Sequence, residues 1–255
     1  MELIEQLTNP NTVVAFMLLF ARMSGIIAFF PFFSHQSFPV SIKTALAFYL
    51  CLMFLPTLPP VEYNFTFVGL IVAVLGEIML GFLASIFLQI AFAIIHFAGQ
   101  TISFSMGFSM ATTFDPMAGT NTTVIGQLLT LTATLFMIIQ GMDHMILLFL
   151  NKSFESVPLG GFMFDASVVP YMTKAATSIF VLGFALAFPV VGLILLTDIL
   201  FGMIMKTNPQ FNLLVFGFPL KIMVSFIILI LTVQGFMIVF EKHFFDLFDK
   251  LMLFL

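Results

Sequence analysis

The chain has 255 residues, a formal net charge of −4, 61% hydrophobic and 8% charged residues, and a mean hydropathy of +1.19. A soluble domain is about 45–50% apolar and about 25% charged, so this composition excludes a soluble protein and implies a polytopic integral membrane protein. Scattered basic residues exclude a nucleic-acid patch, and the single cysteine, Cys51, excludes an intramolecular disulfide.

The first ten residues carry Glu2 and Glu5 and no basic residue, so no cleaved signal peptide is expected. A helix crosses the hydrocarbon core with roughly 20 apolar residues. The first region of that kind runs from Val13 to Phe33, behind a cap signal at Asn9–Thr12. The second runs from Val40 to Leu58 and stops at Pro59–Pro60. The third, Phe67 to Ala98, is overlong for one straight span. The segment from Gly99 to Thr123 then breaks the pattern, being rich in Ser, Thr, Gly and Met. It is too polar to face lipid as irregular backbone, and such backbone is tolerated where protein buries it or where it lines a cavity. The plainer reading is an interfacial loop.

The fourth region runs from Val124 to Leu150 and the fifth from Tyr171 to Met205. Pro189 sits near the middle of the fifth, so one kinked helix or a helical hairpin both fit. Between them, 151–170 reads as a plain connection with Pro158, Gly160, Gly161 and Pro170. The sixth region is Leu213 to Phe240, and the tail from Glu241 to Leu255 reads as a short amphipathic helix. Continuous apolar runs argue against barrel strands, which alternate, so the fold class is all-α. With six spans the positive-inside rule is nearly tied: Lys43, Lys206 and Lys221 face Lys152, Lys174, Lys242 and Lys250 across the membrane. The aromatic belt is also unusual, with 37 Phe, three Tyr and no Trp.

Ionisable residues inside apolar runs are costly and mark candidate sites. Here they are Arg22, Glu77, Asp143, His144, Asp198 and Lys221. They could form a proton or ion pathway, but the simpler reading is that they pair with one another or with helix ends of a neighbouring subunit. His96 has no partner at metal-ligand spacing, and no nucleophile, nucleotide or zinc motif is present. No enzyme, cofactor or metal site is expected. Gly76, Gly81, Ala84, Ser85, Gly183, Gly192 and Gly202 are small residues that let helices approach closely. The most unusual local feature is Met106–Met110, where Gly107 permits irregular backbone and flexible Met side chains suit a variable surface. The alternative is that these methionines fill gaps in a core.

An ordered set of residues resembles the FliR (SctT) family of type III secretion export gates. It opens with Arg22, Pro31, Ser37, Pro39 and Lys43, then Glu77 and Gly81. Ala98–Gly99, the Met-Gly-Phe-Ser-Met run, Asp115–Pro116 and Asp143–His144 follow. Asp198, Gly202 and the run with Asn208, Pro209, Asn212, Gly217, Pro219 and Lys221 complete it. The resemblance covers nearly the whole chain. It implies a gate subunit of the bacterial inner membrane and flagellar basal body that passes unfolded export substrates. It also implies five FliP-like and four FliQ-like partners, an FlhB-like subunit and lipid. Residues 1–170 would be FliP-like, with a pore segment over 99–123, and 171–255 would be a FliQ-like hairpin and tail. Phe104, Met106, Gly107, Phe108, Met110 and Phe114 would be the plug or constriction. Arg22, Lys43, Glu77, Asp143, Asp198 and Lys221 would be subunit-packing charges. The resemblance alone does not separate flagellar from injectisome systems. The competing reading is a secondary transporter or channel for a small solute or ion, which ordinarily shows an internal repeat; the two halves here show none.

Overall fold

A computed structural model describes residues 10–30, 39–58, 63, 65–108, 123–142, 144–208 and 213–254. Among these there is no strand, and the fold is all-α. The helices are α1 (Pro10–Phe29), α2 (Val40–Phe54, continued by a 3-10 turn over Leu55–Thr57), α3 (Phe67–Met106), α4 (Val124–Ile139), α5 (His144–Ser156), α6 (Val168–Thr207) and α7 (Phe218–Met252, entered through a π turn at Leu213–Gly217). Among the described residues, five helices are long and apolar enough to cross a membrane, or six spans if α4 and α5 together count as one broken span. With 40 residues each, α3 and α6 are about 60 Å long at 1.5 Å per residue. That is roughly twice the hydrocarbon thickness.

Several boundaries differ from the sequence reading, each for a physical reason. The third region does not end at Ala98; α3 continues through Gly99 to Met106. Thr101 and Ser105 remain helical because each hydroxyl donates to the carbonyl four residues back, Phe97 and Thr101 respectively, both at 2.9 Å. The fourth region is two helices, parted by a turn in which Gly141 adopts φ +69°. The fifth is a single helix, and Pro189 lies inside it without ending it. The tail is no separate helix but the end of α7, with Phe244, Phe248 and Leu251 buried on its apolar face. Asn9, the first residue of the cap signal, and Pro59–Pro60 lie outside the described residues.

The chain forms two compact units, neither contiguous in sequence. One comprises Met1–Gln89, Gly141–Met172 and Leu247–Leu255; the other comprises Ile90–Gln140 and Thr173–Asp246. Both draw on residues from either side of Pro170.

The core of the first unit is the crossing of α1 on α3. Leu18, Leu19, Met23, Ile26 and Ile27 of α1 are buried there. Gly25 and Gly81 set the separation of the two helices. A Cβ on Gly81 would stand 2.7 Å from the backbone nitrogen of Ile26, and one on Gly25 would stand 2.8 Å from the carbonyl oxygen of Ile78. Side chains of α3 also donate to carbonyls in the last turn of α1. The Gln89 amide donates to Phe29, and the Ser85 hydroxyl donates to Ile26.

The second unit repeats the device at Gly99 and Gly126, where α3 meets α4. A Cβ on Gly99 would lie 2.5 Å from the Gly126 Cα. Thr123 caps α4 by accepting the Gly126 amide at 3.3 Å, and its own ψ of 139° turns the chain into the helix. Gly183 of α6 accommodates Phe97, whereas a Cβ on Gly192 or Gly202 would meet nothing within 4 Å.

Gly99→Leu is therefore expected to cost about 1–3 kcal/mol by overpacking, because the obstacle is backbone. Thermal unfolding of the detergent-purified chain should show this loss, while Gly192→Ala should show none.

Candidate functional site

The first candidate site is a buried ion pair in the first unit. Arg22 and Glu77 are 55 residues apart and both have 0% side-chain exposure. Arg22 Nε donates to Glu77 Oε2 at 2.5 Å, and Arg22 Nη2 donates to Oε1 at 3.0 Å, a bidentate fork on the carboxylate. The other terminal nitrogen, Nη1, donates to the Ser153 carbonyl at 2.9 Å and to the Ser153 hydroxyl at 3.2 Å. Nη2 also donates to the Val157 carbonyl at 3.0 Å. These five contacts match the five N–H donors of a guanidinium. The Ser153 hydroxyl in turn donates to the Leu150 carbonyl at 2.8 Å, which directs its lone pairs at Arg22. The Phe154 ring centroid lies 5.1 Å from the guanidinium carbon, within cation–π range.

Glu77 receives a further bond, from the Gly160 amide at 2.7 Å. Gly160 has φ +80°, and a Cβ there would stand 2.7 Å from the Phe65 ring. The stretch 151–170 is thus not a plain connection. Its first six residues finish α5, and its backbone supplies the remaining partners of both buried charges. Sequence reasoning misses Ser153, Phe154, Val157 and Gly160, because three of these contacts use main-chain atoms that any residue type carries. The Pro158–Gly161 turn signal is the only hint of them. The field of the cluster extends to Tyr63, outside the spans, whose phenol is pushed above its ordinary range by burial and then by the Glu77 carboxylate, with Arg22 opposing.

A second ion pair lies in the other unit. Lys221 Nζ of α7 is 2.8 Å from Asp198 Oδ2 of α6. It is less enclosed, with side-chain exposures of 13% and 46%. Lys43, on α2, makes no ion pair among the described residues, and Asp143 lies outside them. His96 Nδ1 is 3.3 Å from the Thr130 hydroxyl, which is also 2.8 Å from the Gly126 carbonyl. No group of three or more metal-ligating residues occurs among the described residues.

The third candidate site is the end of α3. The Gly107 amide donates to the Phe104 carbonyl at 3.1 Å, and the Phe108 amide donates to the Ser103 carbonyl at 3.2 Å. With Gly107 at φ +90° this is a Schellman stop. A Cβ on Gly107 would also stand 2.9 Å from the Phe218 ring. Met106 is the last helical residue and is fully buried, whereas Phe104 is 72% exposed and Phe108 is half-buried. Met110 and Phe114 lie outside the described residues. The two described ends of this segment, Phe108 and Thr123, thus leave helices that meet backbone to backbone at Gly99 and Gly126.

The chain is similar to known proteins over most of its length. The profile of the bacterial export proteins, family 1, matches residues 13–247. The chain is 31% identical over 239 residues to the flagellar biosynthetic protein FliR of Bacillus subtilis (strain 168), covering 90% of each chain. It is 30% identical over 205 residues to that of Escherichia coli (strain K12), covering 80% of this chain and 78% of the relative. It is 30% identical over 242 residues to that of Pectobacterium carotovorum subsp. carotovorum, covering 94% and 92%.

Removing one member of the buried pair leaves the other charged and unpaired, at about 3–5 kcal/mol. Glu77→Gln and Arg22→Lys should therefore each unfold far earlier than wild type in detergent, since an ammonium cannot reproduce the planar fork. The double variant Arg22→Met/Glu77→Leu should lose less than either. Gly160→Ala, strained in φ and in space, should cost about 1–3 kcal/mol in the same unfolding measurement.

Proposed function

The chain belongs to the bacterial export proteins, family 1, and from that premise we propose that it closes the protein-conducting passage of an export gate with the segment that follows α3. It is a multi-pass subunit of the flagellar type III export apparatus in the bacterial inner membrane. It is a structural component of that gate, and the solute-transporter reading is not favoured.

The observation that carries the plug reading is the Gly107 stop above the Gly99–Gly126 contact. It supports a segment whose two ends leave rigid, closely apposed helices. That is a suitable mounting for side chains that must seal a passage yet yield to varied cargo. Phe104 and Phe108 are its accessible apolar residues. Met110 and Phe114, further along, extend the same apolar character. Met106 anchors the segment in the core rather than sealing it, and Gly107 provides the stop.

The partners in this reading are FliP-like and FliQ-like subunits in a five-to-four-to-one assembly, together with an FlhB-like subunit. Residues 1–170 take the FliP-like place and 171–255 the FliQ-like place. The charges serve assembly. Arg22 with Glu77 and Asp198 with Lys221 hold this subunit's own helices in the form that partners recognise. Lys43 and the outward-facing part of Asp198 remain for contacts between subunits.

The test is made on membranes carrying the assembled complex. Replacing Phe104, Phe108, Met110 and Phe114 by Ala should leave the three-protein complex intact on co-purification and raise passive ion flux at least about tenfold, a barrier change of roughly 1.4 kcal/mol. A membrane that stays ion-tight with the complex assembled refutes the plug. A Lys221→Met complex that assembles normally yet loses proton-driven export refutes the assembly role of the charges.

A further inference from the structure

The first unit contains a cavity of about 450 Å³ that plays no part in the export reading. This lies within the roughly 300–1,000 Å³ of small-ligand sites. Its floor is buried and apolar, formed by Leu80, Leu83 and Phe87 of α3, Phe149 of α5 and Leu251 of α7. The end of the chain makes one wall, with the Phe254 ring 5.9 Å from that of Phe87 and 5.1 Å from that of Tyr171.

The rim has a different chemistry. Asp165 is exposed and lies three residues before α6, where an apolar span begins. Its two carboxylate oxygens accept the Ser167 amide at 3.0 Å and the Ser167 hydroxyl at 2.6 Å. Those bonds fix its orientation and hold its carboxyl below the usual range, so it stays anionic. It makes no ion pair among the described residues. A carboxylate offers about four acceptor positions, and Ser167 takes two.

An apolar hollow with a fixed anion at its rim, beside the start of a span, has the polarity of an amphiphile with a cationic head. Lipid is the solvent of a membrane-spanning chain and supplies such molecules directly. We propose that this cavity holds an acyl chain of a phospholipid with an amine headgroup, whose ammonium rests on Asp165. Lipid with net negative charge is disfavoured there by like charge, whereas a headgroup ammonium gains a charge-assisted hydrogen bond from the carboxylate. The residues of the proposed plug belong to the other unit.

Native mass spectrometry tests this on the full chain and on the assembled gate complex, after exchange into mixed micelles of phosphatidylethanolamine and phosphatidylglycerol. Both should retain one phosphatidylethanolamine through detergent dilution. Leu83→Trp, which fills the hollow, should abolish retention. Asp165→Asn, on the exposed rim and still able to accept one Ser167 bond through its amide oxygen, should fold and still hold lipid but lose about tenfold of its preference for the amine headgroup, the worth of one charge-assisted hydrogen bond. Equal retention of both headgroups by the wild type overturns the proposal. So does retention by a folded Leu83→Trp protein, or loss of the lipid on assembly, which would mean that a sister subunit fills the cavity. None of these outcomes bears on ion leakage through the gate, so the two readings fail separately.

Discussion

A guanidinium in an apolar interior must use all of its donors within the protein, and Arg22 does so. Taking a charge out of water costs several kcal/mol even after relaxation, and it is recovered only when geometry and secondary hydrogen bonds are complete. That constraint reaches well beyond the two charged residues. Glu77 can meet Arg22 in a fork only because α1 and α3 approach so closely at Gly25 and Gly81, each about one turn from the pair. The remaining donors and acceptors require α5 and the turn behind it to come to the same point. Three separate stretches of chain are thus fixed by one side chain.

Much of this is legible in the sequence, and the failures have physical causes. Long apolar runs can only be helices in lipid, so the regions beginning at Val40, Phe67 and Val124 all hold helices with those starts. Arg22 and Glu77 stand out because a charge in such a run needs a reason. Their mutual contact, across 55 residues, has no local signal. The stretch after Ala98 looks irregular because Ser, Thr and Gly favour turns in water. Here the hydroxyls bond their own helix, and Gly99 serves close approach rather than a turn. Small residues can serve packing within the chain or contacts between subunits; Gly81 and Gly183 serve the first, while Gly192 and Gly202 face open space in this chain. Nothing in the residue type separates the two cases.

The proposed seal at the end of α3 would have to meet two demands that ordinarily conflict. It would have to conform to what passes, while its mounting stays still. Gly107 stops the helix sharply, Met106 anchors the last turn in the core, and the Gly99–Gly126 contact locks the two helices below it. Side-chain variety is then confined to the residues beyond the stop. Ser103, one turn earlier, has the only buried side-chain polar atom lacking a hydrogen-bond partner among the described residues. Its carbonyl is nevertheless engaged by the stop itself.

The turn at Val157 to Gly160 serves the buried pair through peptide groups alone: one carbonyl and one amide. A peptide group is the same whatever side chain it bears. Related chains can therefore drift in identity at 157–159 without disturbing the charges, whereas adding or removing a single residue there would carry both groups out of reach. The requirement is written in the length of this turn, and a comparison of residue types would pass over it.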